Sequence, residues 1–181
     1  DSGQDFIGKL NNPVWHIHGN NVPNSNMAVP FSMLLNLASV SGAEEKGTLW
    51  GFIKRYQSEA SPETHPDLDQ AVGFAVAFYN DFVKPKKIYR EANELEREAI
   101  LELRNKLSDY EGDLDAESLQ SIVFSCGRER FDPLRKWFQA LYEILLGASQ
   151  GPRFGGFIAL YGIEETIALI DTALDGKFCN D

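Results

Sequence analysis

Two adjacent residues, Arg153 and Phe154, carry the most chemistry in this 181-residue chain. Arginine presents a planar fork of donors and phenylalanine an apolar face, a pairing that suits unstacked RNA bases. They lie in Gly147-Ala148-Ser149-Gln150-Gly151-Pro152-Arg153-Phe154-Gly155-Gly156-Phe157-Ile158-Ala159-Leu160-Tyr161-Gly162, which joins two apolar helical patterns. Pro152 fits the first turn of the following helix, and the glycines let a partner approach the backbone. The same residues also fit a plain helix–helix corner, with one solvated arginine and one core phenylalanine.

The next candidates are cationic. Lys84, Lys86, Lys87 and Arg90 form a basic turn with Tyr89 interleaved; it reads equally as a solvated helix end whose lysines favour the helix dipole. Arg128, Arg130, Arg135 and Lys136 flank Trp137 and Phe138 across a helix junction, and there nucleic-acid contact is the favoured reading. Other constellations fall short of chemistry. His16 and His18 would share one face of a strand, but no cysteine or carboxylate pair stands beside them to complete a metal site. His65 before Pro66 reads as a helix entry, and Cys126 as a small core residue. Glu94, Glu96, Glu98 and Glu102, with Arg97 and Arg104 among them, read as an exposed face with ion pairs at helical spacing. No Gly-x-Gly-x-x-Gly, P-loop or Ser/His/Asp triad is visible, so no catalytic residue, metal or cofactor is expected on this chain.

Charge argues against simple nucleic-acid binding: 17 Lys and Arg face 27 Asp and Glu, a net charge of −10. Proteins that grip phosphates non-specifically are usually basic. Local positive strips on an acidic body instead suit a protein that reads a few exposed bases and leaves backbone contact to another part. Weak RNA binding by this chain alone follows. A hydrophobic fraction of 43% and 12 Phe argue for a folded globule. No apolar run reaches membrane-span length, and no leader pattern opens the sequence. Two cysteines far apart in sequence, Cys126 and Cys179, suggest reduced thiols and a cytoplasmic protein.

Periodicity predicts an all-α fold of roughly eight helices in two packed groups. Residues 1–29 form an irregular lead-in with a short extended stretch at Val14–Ile17, and 30–64 a helical connecting subdomain. Pro30 opens one helix, with Gly42 just past its end, and a second spans about Ala43–Tyr56. After a linker at 58–66, residues 65–181 hold the remaining helices. The first, ended by Pro85, carries Leu68, Val72, Ala75, Val76, Tyr79, Phe82 and Val83 on one stripe. Glu94–Tyr110 faces Leu95, Ala99, Ile100, Leu103 and Leu107 inward. Asp115 caps the next helix, bearing Leu119, Ile122, Val123 and Cys126; a further one starts at about Asp132. Beyond the corner come a short helix through Phe157 and Leu160 and one from Ile163 to Leu174.

These blocks together resemble a known family. Asp132 through Gly147, read into Gln150-Gly151-Pro152-Arg153-Phe154 and Phe157-Ile158-Ala159-Leu160-Tyr161-Gly162, is similar to the C-terminal end of class I lysyl-tRNA synthetases. Pro13-Val14-Trp15-His16-Ile17-His18, Val29-Pro30-Phe31-Ser32-Met33-Leu34-Leu35-Asn36-Leu37 and Asp81-Phe82-Val83-Lys84-Pro85 agree. The resemblance implies that residues 66–181 form an α-helical cage that binds the anticodon loop of lysine tRNA. It also implies a nucleotide-binding catalytic domain upstream, using ATP and carrying His-Ile-Gly-His and Lys-Met-Ser-Lys-Ser; neither motif is in this sequence, and His16-Ile17-His18-Gly19 only rearranges the first. By likeness to glutamyl enzymes, Tyr142 and the Gln150-Gly151-Pro152-Arg153-Phe154 loop would lie beside anticodon bases, Arg153 bonding an edge or phosphate while Tyr142 and Phe154 stack. The basic strips, with Arg128, Arg135, Lys136, Trp137, Lys84, Lys86 and Lys87, would hold the backbone. DNA and membranes are not expected partners. The competing reading is a helical protein–protein interaction module, or a brace that does not read tRNA.

Overall fold

Apolar residues recurring every three to four positions fold into eight α-helices, and no strand occurs among residues 29–179, the part that the computed structural model describes. Helix α1 (Phe31–Ser41) ends where Gly42 turns left-handed at φ 60°. α2 spans Lys46–Tyr56. α3 (Pro66–Phe78), with proline in its first turn, runs into a π-helical turn at Tyr79–Val83 and a 3₁₀ turn at Lys84–Lys86. α4 (Glu94–Ser108) opens on a capping box, in which the Asn93 side chain accepts from the Glu96 N–H and the Glu96 carboxylate accepts from the Asn93 N–H. Asp115 caps α5 (Ala116–Gly127) by accepting from the Ser118 N–H. α6 (Arg135–Leu141) continues into a second π turn, Tyr142–Leu146, closed by left-handed Gly147 at φ 63°. α7 (Phe154–Tyr161) and α8 (Ile163–Leu174) follow.

The all-α expectation holds, and the departures have local causes. α2 starts at Lys46, because the Ala43 N–H turns back to the Ala38 carbonyl at 3.0 Å and keeps residues 42–45 in the turn. α6 starts at Arg135, after a turn in which the Lys136 and Trp137 N–H groups donate to Pro133 and Leu134. Arg153 is the N-cap of α7, so Pro152 stands before that helix and outside its first turn. Phe82, expected inward, is 55% exposed, since the wider π turn rotates it off the stripe. Leu95 is likewise exposed, while Glu96 is buried in its place by the capping box. The stretch Val14–Ile17, His16 and His18 lie outside the described residues.

Buried apolar residues from Val29 to Ile170 form one cluster, so the expected 30–64 and 65–181 parts share a core. Its largest fully buried side chains include Trp137, Phe154 and Phe157. Two anchors fix the helix corner. The Trp137 indole N–H donates to the Val123 carbonyl at 2.9 Å, tying α6 to α5. Gly155 then brings α7 so close to α5 that a Cβ there would lie 2.3 Å from the Ala116 carbonyl oxygen and 2.4 Å from the Gln120 nitrogen. Its N–H donates to the buried Gln120 side-chain oxygen at 2.8 Å, satisfying one helix-end donor.

Candidate nucleic-acid interface

The corner between α6 and α7 is built on Tyr142. Its carbonyl accepts from the Ala148 N–H at 3.2 Å, and its hydroxyl donates to the Pro152 carbonyl at 2.8 Å, so the 147–152 loop folds over the ring. Gly151 is required there, because a Cβ would come within 2.7 Å of that ring. Burial raises the Tyr142 hydroxyl above its ordinary range and keeps it a donor. A main-chain bond from Ile88 N–H to Gly147 carbonyl, 3.3 Å, ties the 87–93 connector to the same corner.

Three clefts run along this side of the molecule. The first, about 850 Å³, lies between the connector and the corner, with Phe82, Lys86 and Ile88 on one wall and Ser149 and Gln150 on the other. The second, about 440 Å³, shares Ser149 and Gln150 with it and adds Arg135, Phe138, Gln139 and Tyr142. The third, about 470 Å³, holds Phe124, Arg128 and Leu134. Phe124 and Phe138 meet edge to face at 5.2 Å, joining the second cleft to the third. Each cleft thus carries one exposed cation, Lys86, Arg135 or Arg128, and none of the three side chains contacts a carboxylate among the described residues.

The floor of the first cleft is ionic. Arg90 donates through Nε to Glu143 at 2.6 Å and through both terminal nitrogens to Glu96 at 2.7 and 2.8 Å. Burial alone would raise the Glu96 carboxyl, but Arg90 and the Asn93 N–H outweigh it and hold the group below its usual range. Arg90 and Gln139 do the same for Glu143. The acidic face expected at Glu94–Glu102 is therefore broken at Glu96, which faces inward.

The expected site residues divide sharply. Gln150 and Arg135 are exposed and line clefts, as do Lys86 and Arg128; Lys136 is exposed with its Nζ on the Asp132 carbonyl at 2.8 Å. Tyr142 is half-buried. Phe154 and Trp137 have no exposed surface, so neither can stack on a base; they are core, as the plain-corner reading required for Phe154. Arg153 is not idle: its guanidinium grips Glu117 through two bonds of 2.6 and 2.7 Å. Lys84 pairs with Glu44 at 2.5 Å. Lys87 is half-buried, bonded to the Ser39 carbonyl and to the Tyr89 hydroxyl, and lies over the Tyr79 and Tyr89 rings.

The sequence reading missed Phe82 and Ile88 as cleft walls. For Phe82 the block Asp81-Phe82-Val83-Lys84-Pro85 was a signal, but helical spacing placed it in the core. Ile88 had none, because a lone apolar residue between charges has no period. Among the described residues no group of His, Cys, Asp or Glu could hold a metal ion, and no helix is long and apolar enough to cross a membrane.

No model of a protein family matches the chain, and no solved structure does. Curated sequences do. A lysine–tRNA ligase of Roseobacter denitrificans is 68% identical over 180 residues, 99% of this chain and 34% of the relative. Those of Rickettsia conorii and Rickettsia felis are each 40% identical over 173 residues, 94% of this chain and 33% of the relative. Over nearly its whole length the chain is similar to lysine–tRNA ligases. It spans about a third of the length of the curated relatives it matches. Within that third, the lysine–tRNA ligase relationship covers the corner, the connector and all three clefts.

Proposed function

We propose that this chain is the anticodon-reading part of a class I lysine–tRNA ligase, with the three clefts as its RNA-binding face. The observation that carries the proposal is the placement of Lys86, Arg135 and Arg128, one uncommitted cation per cleft, on a body of net charge −10. Splayed bases would meet the Phe82, Ile88 and Phe138 surfaces, with the Gln150 amide and Glu143 carboxylate able to bond their edges. Phosphate contacts from the cations would fix register without reading sequence. Phe154 and Trp137 act beneath this face by holding α6 and α7 on α5.

In this proposal the whole polypeptide joins lysine to its tRNA at the expense of ATP, in the cytoplasm. ATP and the chemical step belong to the two-thirds of the relatives' length outside this chain, and no step is routed through the residues described here. The test is binding of the chain to lysine tRNA at low salt, beside the same tRNA with its anticodon uridines replaced. A preference for the native anticodon that weakens with salt supports the reading. Equal binding of both tRNAs would overturn the base-reading role and leave the interaction-module or brace reading in its place.

A further inference from the structure

Helix α3 and the π turn that follows it carry an apolar stripe that no described residue covers. Phe74 is 60% exposed, Phe78 43% and Phe82 55%, at i, i+4 and i+8, with Ala77 exposed between them. The Phe78 and Phe82 rings lie 5.1 Å apart, so the last two turns present one continuous surface. Three large aromatics aligned on one helix exceed the scattered exposed apolar residues of an ordinary surface, and such patches mark interaction sites. Their counterparts on the inner face, Val72, Ala75, Val76 and Tyr79, already fill the core, so among the described residues the stripe is surplus to the core.

Three kinds of occupant can be weighed on charge and length. RNA is disfavoured, because no Lys or Arg occurs between Arg55 and Lys84, while Asp67, Asp69 and Asp81 lie on this helix and its π turn. A second copy would bring two such acidic faces together on bodies of net charge −10 each. The remaining polypeptide fits best. The matched lysine–tRNA ligases are about three times as long, since the chain covers only 34% and 33% of them. Covalent connection supplies the high effective concentration that lets a modest apolar patch hold a neighbouring domain.

We infer that the Phe74–Phe78 face is the surface on which the rest of the lysine–tRNA ligase polypeptide docks. Phe74 and Phe78 form its centre, and Phe82 marks the border where it meets the first cleft. The docked domain would then set the position of the cleft wall through the Tyr79–Val83 turn. This inference rests on the similarity to longer lysine–tRNA ligases and on the stripe, and it stands whether or not the clefts read an anticodon.

The test is hydroxyl-radical footprinting of two proteins. One is the 181-residue chain; the other is a long polypeptide in which this chain replaces the matching third of the Roseobacter denitrificans relative. Oxidation of Phe74 and Phe78 should be about ten-fold lower in the long polypeptide, as expected for rings at the dry centre of an interface. Tyr56 and Phe124, exposed elsewhere, should react equally in both. Equal oxidation of Phe74 and Phe78 in the two proteins overturns the inference. So does protection that appears only on adding tRNA, or protection of the short chain that grows with its concentration, which would assign the face to RNA or to a second copy.

Discussion

Residues 84–90 and 128–136 look alike in sequence: each holds four cations with aromatic residues beside them. In the structure they differ in how many of those cations stay open. The first segment engages three of its four internally: Lys84 with Glu44, Lys87 with the Ser39 carbonyl and Tyr89, and Arg90 with Glu96 and Glu143. Only Lys86 stays open. In the second, Arg130 binds Glu102 and the Cys126 carbonyl, and Lys136 its own Asp132 carbonyl, while Arg128 and Arg135 stay open on cleft walls. The difference lies in what the fold brings opposite each segment. Glu44, Glu96 and Glu143 come from three different helices or turns and converge on 84–90. A basic cluster is thus an internal brace or a set of open cations according to which carboxylates reach it.

The largest effect that would break this contrast is expected at Arg90. Arg90→Gln leaves buried Glu96 without its main partner and should cost about 2 kcal/mol in urea unfolding at neutral pH, less than a fully buried pair because Arg90 keeps some solvent. The pH dependence gives a second reading. Glu96 sits below its ordinary range in the folded protein, so its contribution is present above that range and is lost as pH falls through the lowered value. In the variant only the Asn93 N–H still opposes burial, and Glu96 moves upward. The gap between the two proteins should therefore close on acidification. A gap that is small at pH 7 would make 84–90 an open strip like its counterpart.

Lys87 should show a smaller effect of opposite sign. Burial pushes its ammonium down to about 8, so below that pH the folded state bears the cost of a desolvated charge. Between there and the ordinary lysine range the unfolded chain holds more protons, and stability rises with pH. Burial also raises the Tyr89 hydroxyl, to about 12, which makes stability fall again once free tyrosine ionises. A rise of about 1 kcal/mol from pH 8, with a maximum near pH 9–10, is expected for the native chain. Lys87→Met should show only the fall, and a profile unchanged by that substitution would remove Lys87 from the interior.

How much of this was legible follows from the range of each signal. α1, α4, α5 and α8 were readable to within two residues, because caps and glycines sit next to the apolar repeats they bound: Gly42, Asp115, and Ile163 after Gly162. The two π turns were not, since a single extra residue in a helical turn leaves no mark on composition, yet it turns Phe82 outward. Leu95 and Glu96 changed places for a related reason. The capping box fixes the first turn of α4 regardless of its apolar count, and Arg90 supplies the charge that lets Glu96 be buried. At the candidate interface the cations were visible as residue types. Which of them stayed open depended on Glu44, Glu117 and Glu143, far away in sequence. Phe154 and Trp137 belong to the core because Gly155 and Gly127 let their helices approach closely, and that closeness is a property of helix pairs.

On the other side of the comparison, Arg135→Ala should leave stability within about 0.5 kcal/mol, as for a surface side chain with no partner. Binding to lysine tRNA should weaken by roughly five-fold at low salt, with a shallower dependence on salt because one phosphate contact is gone. Lys86→Ala should do the same and should weaken all tRNAs about equally. Filter binding of both variants across a salt series checks this. A stability loss at Arg135 as large as that at Arg90 would erase the distinction between the segments.

The smallest expected effect concerns Arg153, a member of neither segment. Its clasp on Glu117 is bidentate but solvent-exposed, with side chains 59% and 69% accessible, so it contributes at most a few tenths of a kcal/mol. Its consequence lies in competition: while Glu117 holds the guanidinium, an RNA phosphate or base edge must displace a carboxylate to reach it. Glu117→Gln should therefore leave unfolding unchanged and strengthen tRNA binding by roughly two-fold, the sign expected when a competing charge is removed. The gain should vanish in the double variant with Arg153→Ala. If Glu117→Gln weakens binding, the carboxylate must be positioning Arg153 for the RNA, and an ion pair would then count as part of the open set along with Lys86, Arg128 and Arg135.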